Sequence, residues 1–165
     1  MAVETETNQY LTFTLDQEQY AADVGKVREV LELLPLTKLP RMPAYMKGVI
    51  NIRGSVVPVV DLREKFGMAE VEETVDTSII VMDVGTGERA LTVGCLADSV
   101  EEVVDIQPEN VEPAPSFGTS VDTEFIEGIA KREEQFVILL DIDRVFSDTE
   151  LRNIRREQQS TENEE

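Results

Sequence analysis

Thirty-four of the 165 residues are Asp or Glu, and none is His. Carboxylates are therefore the main chemical resource of this chain, and the missing histidine removes most alternatives. No Ser-His-Asp or Cys-His nucleophile can be assembled, and no imidazole is present to act as a base or accept a phosphoryl group. The single cysteine, Cys95, cannot form an internal disulfide, and one thiol without histidine does not make a structural zinc site. It sits in a Val/Leu-rich stretch and reads as a small buried apolar residue. Asp141 and Asp143 form a D-x-D pair that could touch Mg²⁺ and serve a carboxylate-based hydrolase. Asp61 and Asp141 each stand directly before a short helix pattern, so an N-cap is the simpler reading of both. Gly85-Thr86-Gly87 lacks the further Gly and the Lys-Ser/Thr of a phosphate loop.

The other candidate is a guanidinium. Arg53 lies inside Gly48–Phe66, GVINIRGSVVPVVDLREKF. Val49, Ile50 and Ile52 precede Arg53-Gly54, and Val56, Val57, Val59 and Val60 follow it. β-Branched runs on either side of a Gly predict a β-hairpin with Arg53 at its tip. A solvated turn residue and a binding group are both open there. Val24, Val27 and Val30 recur at intervals of three, as core packing or as an apolar ridge for a partner. Phe117, in Pro115-Ser116-Phe117-Gly118, has no strand pattern to bury it and reads as a loop anchor or a protein contact.

Positioning these residues requires strands. Tyr10–Leu15 alternates polar and apolar residues, Gln19–Ala22 returns, and Ser78–Val84 and Ala90–Leu96 form another pair. Self-comparison shows a duplication. Tyr45–Val49 matches Phe125–Ile129 at an offset of 80, and Val59-Val60-Asp61-Leu62 with Phe66 matches Leu139-Leu140-Asp141-Ile142 with Phe146. Upstream, Val27–Leu33 matches Val100–Ile106 at an offset of 73. Gly48 recurs as Gly128, which points to a structural close approach. The turn Asn51-Ile52-Arg53-Gly54 maps onto Lys131-Arg132-Glu133-Glu134, so the fold does not itself demand Arg-Gly. Two related lobes, about 9–68 and 78–146, are expected as small five-stranded barrels, with a helix after Asp148 and tails at 1–8 and 158–165.

The net charge of −19 is uneven. Residues 1–68 carry 8 basic and 9 acidic residues, whereas residues 69–165 carry 7 and 25. Such a field repels nucleic acid and anionic membrane surfaces. No run approaches 18 apolar residues and the first residues are polar, so a cytoplasmic location without direct membrane contact is the expectation.

The hairpin GVINIRGSVVPVVDLREKFG closely resembles the signature of the CheW family, the coupling proteins of bacterial chemotaxis. YLTFTLDQEQYAADVGKVREV, the Pro-Ala-Pro loop and FIEGIAKREEQFVILLDIDRVF are similar to it as well, in order from Gln9 to Phe146. The resemblance implies an all-β fold of two intertwined SH3-like barrels and a stand-alone, non-enzymatic adaptor with no cofactor and no small-molecule substrate. Its implied partners are the regulatory domain of the kinase CheA and the tip of a methyl-accepting receptor. By position, Glu29 and Arg53 match an acidic–basic pair tied to receptor coupling, with Val100 and Val103 lining the adjoining groove. Val24 and Val27 match the surface that meets the kinase, and Phe117 matches a second kinase contact. A peptide-binding module outside chemotaxis would share the fold and differ in partner.

Overall fold

The computed structural model describes residues 8–68, 73–87, 90–113 and 125–163. Its strands are β1 (Gln9–Leu15), β2 (Glu18–Asp23), β3 (Val27–Glu32), β4 (Met46–Ile52), β5 (Ser55–Asp61), β6 (Ser78–Val84), β7 (Leu91–Ala97), β8 (Ser99–Asp105), β9 (Val111–Glu112), β10 (Ile126–Arg132) and β11 (Gln135–Leu140). Helix α1 (Leu62–Lys65) follows β5, and α2 (Asp148–Asn163) follows β11. Ser147 and Glu150 cap α2 reciprocally: the Glu150 amide donates to Ser147 Oγ, and the Ser147 amide donates to Glu150 Oε1. The helix runs to Asn163, into the stretch expected to be a tail.

The sheets do not follow the expected boundary between 68 and 78. One sheet has the order β8-β1-β2-β11-β10-β9 and the other β3-β6-β7-β5-β4. Each repeat therefore lends its first hairpin to the other. β1-β2 pairs with β8 and β11, while β6-β7 pairs with β3 and β5. The pairing types agree in both sheets, antiparallel to β8 or β3 and parallel to β11 or β5, so the two barrels are related by an exchange of hairpins. The lobes are intertwined.

Each barrel closes at the duplicated glycine. Thr37, downstream of β3, exchanges two hydrogen bonds with Val49 on β4 at 3.0 and 2.9 Å. In the other barrel β9 takes that place, with Glu112 opposite Ile129. A Cβ on Gly48 would stand 2.6 Å from the Thr37 carbonyl oxygen, and one on Gly128 would stand 3.0 Å from that of Glu112. Gly48 also has φ of +152°. Only a residue without Cβ admits the closing strand so near.

Three apolar clusters explain the long Val/Ile runs. Ile50, Val57, Val59, Ile79, Val81 and Leu96 fill the interior of one barrel. Ala21, Val104, Ile106, Ala130, Val137 and Leu139 fill the other. The third lies between the barrels and includes Phe13, Tyr20, Val56, Val60, Met82, Val93, Leu140, Leu151 and Ile154. Strands with one face inside a barrel and the other between barrels are apolar on both, so period-2 alternation disappears. Cys95 is buried in that central cluster, and burial pushes its thiol up to about 12.

Two outcomes follow from this topology. Fragments 1–70 and 71–165 should each be unfolded alone and regain β structure when mixed, as read by far-UV circular dichroism; a folded single fragment would contradict the exchange. Gly48→Ala should lower stability by about 2–4 kcal/mol in urea unfolding.

Candidate functional site

Arg53 and Gly54 are the two loop residues of the β4–β5 hairpin, between the paired Ile52 and Ser55. Their φ values are +50° and +89°. Positive φ at both positions matches the right-handed strand twist, and for Arg53 it costs on the order of 1 kcal/mol. Asn51 offsets this: its Oδ1 accepts the Gly54 amide at 2.9 Å and clamps the turn. The guanidinium, three-quarters exposed, reaches across to Glu29 on the edge strand β3. Nη1 donates to Oε2 at 2.8 Å and Nη2 to Oε1 at 3.1 Å, a two-pronged ion pair. The hydrogen bonds from Arg53 hold the Glu29 carboxyl below its ordinary range, and the same bonds raise Arg53.

This pair borders a pocket of about 570 Å³. β3 supplies Arg28 and Glu29, the β4–β5 hairpin supplies Ile52, Arg53 and Val56, and Leu91 comes from the exchanged hairpin. Arg155 of α2 reaches its rim and donates to the Ala90 carbonyl oxygen.

The other expected site residues fall in different places. Val100 and Val103 lie on β8, an edge strand of the other sheet, and are not among the pocket residues. Val103 is 49% exposed, while Val100 packs against the central cluster. Val27 packs against that cluster too. Val27 and Val100 occupy matching positions of the repeat, so the implied division between kinase and receptor surfaces separates two pseudo-equivalent residues. Val24 is half-buried in a short 3₁₀ turn capped by Asp23. Phe117 lies outside the described residues.

The second barrel has a weaker version of the pair. Arg132 Nη2 lies 3.3 Å from Glu102 Oε2, and Glu102 matches Glu29 at the offset of 73. A turn lacking Arg at its tip thus still offers a neighbouring Arg to the edge strand. It makes one long contact instead of two short ones, and Lys131 stands where Asn51 clamps the first turn.

Asp61 and Asp141 are N-caps, accepting the amides of Arg63 and Asp143 at 2.9 and 3.2 Å. Asp143 ion-pairs with Lys26 at 2.9 Å. Among the described residues no cluster of three or more potential ligands could hold a metal ion. The carboxylates of the hydrolase reading are occupied in capping and pairing.

Sequence reasoning overlooked Arg63. Its side chain is only 5% exposed, between Asp61 and Asp98. Nη1 donates to Asp98 Oδ1 at 2.7 Å, and Nε donates to Asp61 Oδ1 at 3.3 Å. Asp98 Oδ2 in turn accepts the Asp16 amide at 2.8 Å. This network ties α1, the β7–β8 turn and the β1–β2 turn together. A signal was present: Arg63 stands two residues after a cap in a four-residue helix whose first residue, Leu62, is core.

Comparison with known proteins agrees with this architecture. Residues 9–150 match the family model described as CheW-like domain. The chain belongs to the CheW-like family. It is 36% identical over 151 residues to the chemotaxis protein CheW of Klebsiella aerogenes, covering 92% of this chain and 89% of that one. It is 32% identical to the CheW of Bacillus subtilis, covering 88% and 92%. The crystal structure of the scaffolding protein TtCheW from Thermoanaerobacter tengcongensis superimposes with a TM-score of 0.77 at 32% identity, covering 89% of this chain and 92% of that one. The family is non-enzymatic, so the hydrolase reading is set aside and the fold is the expected pair of β-barrels. Among the described residues no helix is long and apolar enough to cross a membrane.

Arg63→Ala strands two carboxylates, one of them, Asp61, almost fully buried. Stability should fall by about 3–5 kcal/mol in urea unfolding. A loss below about 1 kcal/mol would show that Arg63 is not the pin described.

Proposed function

We propose that this chain is a chemotaxis adaptor that holds a CheA-type kinase against the tip of a methyl-accepting receptor and transmits receptor state to the kinase. The observation that carries this is the Glu29–Arg53 pair. A left-handed turn clamped by Asn51 presents an exposed, rigid, two-pronged guanidinium on the edge of the first barrel. Fold stability does not require it, since the repeat folds the same hairpin around Glu133-Glu134. Family membership and the likeness to the scaffolding protein TtCheW support the adaptor class. Output from such a protein is geometry: two partners that bias each other's conformations through one rigid body are coupled without chemistry.

Glu29 and Arg53 are the proposed receptor contact, extended by Val100 and Val103 on β8. Val24 and Val27, with Phe117, are the proposed kinase contacts. Because Val27 also packs on the central cluster, Val24 offers the cleaner test of that surface.

The test is co-sedimentation and pull-down with CheA and a receptor signalling domain. Arg53→Ala should weaken the receptor link by about tenfold or more, the loss of one hot-spot contact, with the melting temperature and kinase binding retained. Val24→Asp should do the opposite, costing kinase binding about 2–5 kcal/mol. Normal receptor binding by Arg53→Ala would remove the site assignment.

A further inference from the structure

Arg28, beside the Glu29–Arg53 pair, is bonded in an unusual way. Its Nε donates to both oxygens of Asp83 on β6, at 2.8 and 2.9 Å, and Thr92 Oγ1 steadies Asp83 Oδ1 at 2.9 Å. The side chain is therefore anchored through Nε. Among the described residues, Nη1 and Nη2 of Arg28 make no hydrogen bond, and the residue lines the pocket with most of its surface exposed.

Hydrogen-bond supply and demand at this edge are unequal. Every oxygen of Glu29 and Asp83 already accepts a donor, from Arg53, Arg28 or Thr92. The unused capacity is donors, carried on a guanidinium fork whose spacing matches a carboxylate. Among the described residues the pocket lining includes Arg28, Arg53 and Arg155 with Glu29, and Asp83 stands behind Arg28, so guanidinium groups face the pocket on a chain of net charge −19. Ile52, Val56 and Leu91 give the same pocket an aliphatic wall. Nor does the scaffold need a cation at position 28. The matching residue of the repeat, at the offset of 73, is Glu101, which bonds to Ser99 and Thr14 instead.

We propose that Arg28 is a specificity-determining contact whose open fork receives a Glu or Asp side chain of the docking receptor helix, next to an aliphatic residue packed on Ile52, Val56 and Leu91. This rests on the docking edge proposed above and names the partner chemistry that edge accepts. A charged side chain paired by a pre-anchored fork sets which partner binds, because a neutral or basic residue there leaves the donors unmet.

The test compares wild type, Arg28→Gln, Arg28→Glu and Arg53→Ala for binding to a receptor signalling domain, in the presence of CheA, at ~50 and ~300 mM NaCl. Circular dichroism and melting curves verify that each variant is folded. Arg28→Gln should weaken binding about fivefold and flatten its salt dependence, and Arg28→Glu should weaken it further. A Lys scan of exposed acidic positions on the receptor should find one substitution that restores binding to Arg28→Glu. Wild-type affinity and salt dependence in both Arg28 variants, with Arg53→Ala impaired, overturns this inference and leaves the docking edge standing. Normal binding by Arg53→Ala as well removes the edge itself. Binding of acetate or inorganic phosphate that is lost in Arg28→Gln, with receptor affinity unchanged, assigns the pocket to a free anion and overturns the proposal.

Discussion

The apolar cluster between the two barrels is the constraint on which everything else depends. It draws on both sheets and both helices, whereas each barrel interior is a small cluster from one sheet alone. Neither barrel could keep its outer apolar face in water, and neither is complete without a hairpin from the other repeat. Burial across the seam and hairpin exchange are two expressions of the same requirement. Short strands with little interior gain stability by being apolar on both faces and sharing the second face. The two barrels are consequently joined by a shared core as well as by exchanged hairpins.

Polar pairs orient the seam. Arg63, after β5, meets Asp98 in the turn before β8. At the related place Asp143, after β11, meets Lys26 just before β3. Position 143 matches 63 at the offset of 80, and Lys26 lies one residue beyond the position that matches Asp98. The polarity is reversed between the two. Within the first repeat Lys47 pairs with Glu64, whereas at the matching positions Glu127 accepts from Tyr10 and Arg144 pairs with Asp141. Partial burial and the nearby carboxylates of Asp141 and Asp23 raise the Glu127 carboxyl, with a hydrogen bond from Tyr10 working against the shift. Duplicated surfaces with opposite charges favour the pairing of one repeat with the other over pairing with its like.

The proposed docking edge sits where the repeats diverge. Both hairpins fold and both place an Arg near an acid on the edge strand. Only the first has the Asn clamp, the left-handed Arg and two short bonds. Arg28 against Glu101 and Arg53 against Glu133 place two paired guanidinium groups on the edge of the first barrel where the repeat has acids. The closure glycines and the Asp caps recur in both repeats, whereas the proposed partner contacts do not.

The sequence by itself determined the strand content, the repeat, the capping role of Asp61 and Asp141, the closure glycines and the hairpin that carries Arg53. These are local properties: β-branched runs, glycine without a Cβ and an Asp before a short helix act over a few residues. Family resemblance added Glu29 as the partner of Arg53. Only the tertiary structure decided which strands share a sheet, because hairpin exchange depends on long-range pairing that leaves the period of each strand unchanged. It also decided that Arg63 is buried while Arg28 keeps an open fork. Arg63 meets Asp98 beside its local partner Asp61, and Arg28 directs its Nε to Asp83; Asp98 and Asp83 become neighbours of these arginines only when the two repeats have traded hairpins.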